Sequence, residues 1–361
     1  MKKSFSTEIE KEKAVIVDVA FNKIHYDFEK STEELKSLCF TANLEVVGEA
    51  CQNIKEENPS TLLGSGKIEE VAEIVKSTHA NVVVVNCELT GSQNKNITDI
   101  VCVKVIDRSM LILDIFARRA KTNEGRLQVK LAMLKYNLPR LAGISNSAGR
   151  FGSAGVGMRG PGETKLETDK RAIRESILRL EKEIEKLERN RVIQKQNRIK
   201  NRVKKVAIVG YTNAGKSTLM NTISKANIYA DNLLFATLDT TSRNVFLAPN
   251  KQIVLTDTVG FISNLPHAFI QAFNSTLEET KDADLLLHVV DISNPNYKDQ
   301  IEIVKDVLKQ IHADKIPVIN VFNKIDSLQG PFEVPSDTVL ISAKKNENIE
   351  LLKSKIIEKL F

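Results

Sequence analysis

The stretch Gly210-Tyr211-Thr212-Asn213-Ala214-Gly215-Lys216-Ser217 constrains the chain more than any other. It follows the apolar run 204–209 and opens the amphipathic segment 217–224, so the order reads strand, tight glycine turn, helix. G-x-x-x-x-G-K-[ST] spacing in that setting turns backbone N–H groups inward at the positive end of a helix, an arrangement suited to phosphate oxygens. Lys216 is expected to reach the β- and γ-phosphates of a nucleotide, and the Ser217 hydroxyl to ligate Mg²⁺. Short apolar runs at 253–256, 285–290, 317–321 and 338–341, with an amphipathic helix over 351–360, supply the α/β unit such a loop requires. Gly64-Ser65-Gly66-Lys67 lacks the spacing, with Thr61 and Ile68 in the diagnostic places, and reads as a plain turn before a helix.

Three further elements follow in order. Asp257-Thr258-Val259-Gly260 comes after an apolar strand, about 40 residues beyond the loop lysine. An Asp there can support the Mg²⁺ shell, and Gly260 lets its N–H approach a γ-phosphate. Asn323-Lys324-Ile325-Asp326 ends the 317–321 strand. Guanine presents two adjacent N–H donors on one edge, which a carboxylate at Asp326 can accept together, so the substrate is expected to be GTP rather than ATP. Asn323 would link the base to the phosphate loop, and the Lys324 stem would cover the base. Ser342-Ala343-Lys344 would complete the pocket through backbone contacts. Between loop and Asp257 lies Phe235-Ala236-Thr237-Leu238-Asp239-Thr240-Thr241, the segment expected to sense the γ-phosphate. One of its three threonines should ligate Mg²⁺ in the GTP state, and spacing does not choose among them.

The rest of the chain reads as two other parts. Runs at 14–19, 81–85 and 101–106, with a helical pattern over 68–75, indicate a small α/β domain with a mainly parallel sheet over 1–115. Over 116–202 two seams appear, Leu127, Leu131, Leu134, Leu138 and then Ile173, Ile177, Leu180, Ile184, Leu187. Their three-and-four spacing predicts an antiparallel helical hairpin, its first helix ended by Pro139. Residues 203–361 form the nucleotide domain. Seven of the 16 glycines fall between Gly143 and Gly162, at the hairpin tip. Eight basic residues and no acid lie between Arg189 and Lys205; without those eight charges the formal +6 becomes −2. This run, with Arg118, Arg119, Lys121, Arg126, Lys130 and Lys135, predicts contact with RNA phosphates. Arg150, Arg159 and Lys165 could enter a narrow RNA cavity beside the small glycines.

These motifs, together with Gly155-Val156-Gly157-Met158-Arg159-Gly160-Pro161-Gly162-Glu163-Thr164-Lys165-Leu166-Glu167 and residues 127–141, resemble the HflX family of ribosome-associated GTPases, close kin of the Obg group. The resemblance spans nearly the whole chain. It implies Thr237 as the switch ligand of Mg²⁺, binding to the large ribosomal subunit and its rRNA, and GTP-dependent splitting of stalled ribosomes. It also implies ATP binding by the N-terminal domain, for which no phosphate motif is visible. Two departures stand out. The glycine-rich element is less dense at 141–153, and the chain ends at the closing helix of the nucleotide domain, so contacts of a further C-terminal domain are not carried over.

Phe261 occupies the place where many GTPases carry a glutamine that orients water, which predicts slow intrinsic hydrolysis stimulated by the ribosome. Asn213 stands where cation-activated relatives hold K⁺. Other readings of the same motifs are a GTP-dependent large-subunit assembly factor and a GTP-regulated adaptor that splits no ribosomes. Four cysteines without C-x-x-C spacing, no signal-peptide pattern, and no apolar run near the ~20 residues of a membrane span predict a cytoplasmic protein without integral membrane association, and a monomer is expected because nothing in the sequence argues for an obligate dimer. Peripheral placement at a membrane stays compatible with this.

Overall fold

The structure, a computed structural model, describes residues 11–21, 26–145, 161–200, 203–224, 234–238, 240–263, 269, 279–328 and 338–361, with side chains described outside 142–145, 161–166, 188 and 190–200. The chain divides into two units, Met1–Ile115 with Met133–Ile177, and Phe116–Ala132 with Leu178–Phe361.

In the first unit, β1 (Glu12–Phe21), α1 (Phe28–Thr41), β2 (Leu44–Ile54), α2 (Ser65–Thr78), β3 (Val82–Val85), α3 (Gly91–Val101) and β4 (Lys104–Asp107) form a sheet of order β2-β1-β3-β4. Every neighbouring pair is parallel. Helices cover both faces of such a sheet, which is why Val82–Val85 is four consecutive valines, each at most 1% exposed. Gly64 caps α2, so residues 64–67 are the ordinary helix start expected of them. The strand expected over 101–106 is corrected. Val101 closes α3, Cys102 turns the chain at a left-handed φ of 58°, and the strand begins at Lys104.

Three long helices follow, α4 (Arg108–Arg119), α5 (Asn123–Ser145) and α6 (Pro161–Lys200), and α5 with α6 makes the helical hairpin. Along α6, Ile177, Leu180 and Ile184 are buried while Arg179, Lys182 and Glu183 between them face solvent. The expectation that Pro139 ends the first hairpin helix is overturned, because α5 runs through it to Ser145. A proline removes one N–H and crowds the preceding turn. The next residue, Arg140, anchors this turn through its side chain: its Nη1 donates to the Tyr136 carbonyl at 2.9 Å and its guanidinium stacks 3.5 Å from the Tyr136 ring centroid. Its Nε donates to the Leu89 carbonyl at 3.1 Å and its Nη2 meets the buried Asp107 carboxylate at 3.4 Å. A Cβ on Gly91 would lie 2.6 Å from the Arg140 carbonyl oxygen, so the start of α3 approaches the α5 backbone directly. Tertiary contacts, not local propensity, carry the helix past its proline. The glycine-rich tip over 146–160, with Arg150 and Arg159, and the side chains of Lys165 and of the basic residues from Arg191 to Arg202 lie outside the described residues. At the ends of the basic run, Arg189 pairs with Glu185 and Lys204 with Asp284, so acids from outside the run neutralise part of it.

In the second unit, β5 (Lys204–Gly210), α7 (Lys216–Ser224), β6 (Thr241–Ala248), β7 (Lys251–Asp257), β8 (Leu285–Asp291), α8 (Tyr297–Gln310), β9 (Val318–Asn323), β10 (Thr338–Leu340) and α9 (Ile349–Leu360) build a sheet of order β10-β9-β8-β5-β7-β6. Only β6 runs antiparallel. Strand order turns around at β5, whose carboxyl end is therefore the crevice where open α/β sheets take ligands. Val206, Ile208, Leu255, Leu287 and Val289 of the strands pack with Leu219, Met220, Leu352 and Ile356 of the helices. Burial pushes the imidazole of His288, on β8, down to about 4, only partly opposed by its hydrogen bond with Asn320. Because the unfolded chain binds that proton near pH 6.5, the neutral histidine stabilises the fold fully above that value and the contribution is lost toward pH 4. Wild-type stability should therefore fall by roughly 3 kcal/mol more than that of His288→Gln between pH 7 and 4 in urea titrations. Parallel curves would refute this.

Candidate nucleotide site

The turn after β5 needs glycine at both ends. Gly210 (φ 154°) and Gly215 (φ 94°) lie at positive φ, and added Cβ atoms would strike the Val289 carbonyl and the Asn323 amide. Lys216, at the first turn of α7, is buried, and its Nζ donates to the carbonyls of Gly210 (3.2 Å) and Tyr211 (2.7 Å). Burial pushes this ammonium down to about 8, while Asp257 pulls it back up. Asp257 shows the converse: burial raises its carboxyl pKa against the pull of Lys216, Ser217 and Thr237. Gly260 has no room for a side chain, since a Cβ would lie 2.8 Å from Thr212 Cα and 2.9 Å from Lys216 Nζ.

Around Asp257 three oxygens converge. Ser217 Oγ lies 2.7 Å from both Thr237 Oγ1 and Asp257 Oδ2, and Thr237 Oγ1 donates to the same Oδ2 at 3.1 Å. Among the described residues, Asp257 Oδ1 is buried with no hydrogen-bond partner. Hard oxygen donors beside an unsatisfied buried carboxylate oxygen suit Mg²⁺. Ser217 and Thr237 would hold the ion, with Asp257 behind them, and a bound ion would screen the charge of the phosphate oxygens.

The base end is equally ordered. Asn323 Nδ2 donates to the Ala214 carbonyl at 2.9 Å while its Oδ1 accepts from Ala343 N–H at 3.0 Å, joining phosphate loop to base loop. Ser342 Oγ donates to Asp326 Oδ1 at 2.6 Å, and this hydrogen bond holds the Asp326 carboxyl pKa below its ordinary value. Lys324, at left-handed φ, pairs with Asp291 at 2.6 Å.

These elements surround one cavity of about 600 Å³. Thr212, Asn213, Gly215, Lys216, Ser217, Phe235, Ala236, Thr237, Thr258, Gly260, Asn323, Lys324, Asp326 and Lys344 line it. Gly210, Tyr211, Ala214, Leu238, Asp257, Val259, Ile325, Ser342 and Ala343 stand outside the lining, and Asp239 lies outside the described residues. Sequence reasoning missed Thr218, Ser293 and Ser327, which also line the cavity, and the orienting hydroxyl of Ser342. Ser293 follows the end of β8, so the rule that ligands collect at strand carboxyl ends could have found it.

Phe261 is not among the residues that line the cavity. It is 2% exposed, its N–H donates to Gly210 O at 3.1 Å, and its carbonyl accepts from Thr212 N–H at 2.7 Å. Phe261→Gln should therefore not accelerate hydrolysis, and burying its amide should destabilise the protein by roughly 2–4 kcal/mol in urea melts. A faster enzyme would show that this position does reach the reacting water.

Fold and site define a P-loop GTPase of the guanine-selective kind. Family models match residues 29–117 (GTP-binding GTPase N-terminal), 119–198 (GTP-binding GTPase Middle Region) and 205–324 (50S ribosome-binding GTPase). The chain belongs to the HflX family: it is 48% identical over 355 residues to the GTPase HflX of Caldanaerobacter subterraneus subsp. tengcongensis, covering 98% of this chain and 81% of that one. Identity with the GTPase HflX of Escherichia coli is 45% over 319 residues, 88% and 74% of the two chains. It hydrolyses GTP. A crystal structure of a GTP-binding protein from Sulfolobus solfataricus with GDP shares the fold, at a TM-score of 0.50 and 23% identity over 96% of this chain and 98% of that one. No helix among the described residues is long and apolar enough to cross a membrane.

Proposed function

We propose that this GTPase is a Mg²⁺-dependent, GTP-switched factor that binds the large ribosomal subunit and its rRNA and splits stalled ribosomes. The observation that carries a switch is the meeting of Thr237 with Ser217 and Asp257, which lets the segment around Thr237 answer to the nucleotide. The family's ribosome-binding description and the basic charge of residues 189–205 support the partner. In this reading 1–115, 116–202 and 203–361 act as anchor, arm and engine in the cytoplasm, with the glycine-rich segment as the working tip. Hydrolysis is slow until the ribosome completes the site, as Phe261 offers no group to orient water. ATP binding to the N-terminal part has weaker support, since residues 64–67 form a helix start rather than a phosphate loop.

Light scattering of intact ribosomes tests the splitting: a fall on adding protein with a non-hydrolysable GTP analogue is expected, and none with GDP. Binding to isolated large subunits without any fall would instead favour an assembly factor, and no binding at all an adaptor. If Asn213 holds K⁺ beside the phosphates, hydrolysis should be faster in KCl than in NaCl, and equal rates would remove the ion.

A further inference from the structure

Phe235 is an odd residue to find where it stands. It is bulky, 2% exposed, and held at a left-handed φ of 53°, which side chains of its size rarely adopt. Two contacts hold it there. Its N–H donates to Thr212 Oγ1 of the phosphate loop at 2.8 Å. Its ring meets that of Phe116 edge to face, with centroids 4.7 Å apart and planes at 83°. Phe116 is itself buried and lies in α4, close before Asn123 starts the first hairpin helix; both rings belong to the second unit. Two residues after Phe235 comes Thr237, at the Ser217–Asp257 oxygens. Leu238 is buried on its far side, so Thr237 is suspended between apolar anchors rather than fixed by regular structure.

We infer that Phe116 is a positioning residue for GTP hydrolysis: through Phe235 it holds the 234–238 segment so that Thr237 stands at the metal, tying the hydrolytic state of the site to the helix that leads into the hairpin. The inference goes beyond ribosome splitting and rests on Thr237 as the Mg²⁺ ligand of the GTP state. Any force that shifts Phe116 loosens Thr237, and any nucleotide that seats Thr237 seats Phe116.

Because an aromatic pair is worth a modest factor, Phe116→Ala should lower kcat roughly five- to tenfold and raise the Mg²⁺ requirement with GTP by a similar factor. GDP affinity should stay within about twofold, since no γ-phosphate recruits the segment then. Phe116→Met, whose thioether keeps a favourable contact with the Phe235 ring, should restore most of the rate. An unchanged kcat in Phe116→Ala, or GDP affinity falling in parallel with kcat, overturns the inference. Should that variant not fold, Phe116→Leu keeps the apolar volume, loses the ring edge, and is read against the same criteria. Thr237→Ala is measured alongside: if it too leaves hydrolysis unchanged, the reading of Thr237 fails. If it abolishes hydrolysis while the Phe116 variants do nothing, the positioning role alone fails.

Discussion

Asp326→Asn should weaken GTP binding by roughly 10³-fold or more and at the same time give the site affinity for xanthosine triphosphate. The direction follows from which atom Ser342 claims. Ser342 Oγ accepts from Lys345 N–H at 3.1 Å and sends its proton to Asp326 Oδ1 at 2.6 Å. In the variant that hydroxyl selects the amide oxygen, which turns the new NH₂ toward the base. A donor then faces the two N–H donors of guanine, and the cost includes leaving those groups unpaired against the protein. Xanthine carries an oxygen where guanine carries the amino group, so the same NH₂ finds an acceptor. Competition titrations with the two triphosphates measure the exchange. Retention of GTP affinity within tenfold would mean that Asp326 does not read the base.

A comparable loss is expected from Gly215→Ala, although Gly215 touches no base. Its φ of 94° disfavours any side chain, and its Cβ would collide with the Asn323 amide that holds the Ala214 carbonyl and the Ala343 N–H. Backbone strain and two disturbed buried hydrogen bonds together cost about 3–4 kcal/mol, or roughly 10²–10³-fold in GDP affinity. Calorimetric titration with GDP gives the affinity, and a melt without nucleotide shows whether the fold persists. A loss below tenfold would show that loop and amide can move apart cheaply.

The parts of this site that could be read from sequence are those in which a local backbone demand coincides with chemistry. Gly210, Gly215 and Gly260 are required by a positive φ or by a Thr212 backbone too close for a Cβ, and Asp257 and Asn323 end strands. What could not be read depends on partners distant in sequence. Spacing left Thr237, Thr240 and Thr241 equivalent; in three dimensions Thr241 begins β6, whereas Thr237 reaches Asp257. Strand β6 buries little besides Val245, and β2 carries Gly48, Glu49, Gln52 and Asn53, so neither edge strand shows a clean apolar alternation. Pro139 signalled a stop that Arg140 overrides by anchoring to Leu89 and Asp107, which lie outside the helix. The Thr90–Gln93 capping box that starts α3 was legible in its T-x-x-Q spacing and is a signal the sequence reading passed over.

The clasp at Arg140 also sets an order of events during synthesis. The Asp107 carboxylate receives Leu89 N–H and Met110 N–H from nearby chain, but its third donor arrives 33 residues later. Until Arg140 has left the exit tunnel, the Leu89 carbonyl lacks its guanidinium and the start of α3 lacks the helix backbone it lies against. The first unit is therefore finished only after the chain has gone past its last β-strand and made most of the next long helix. A released fragment ending near residue 115 should be open to proteases around 89–107, and one extending well beyond 145 should not.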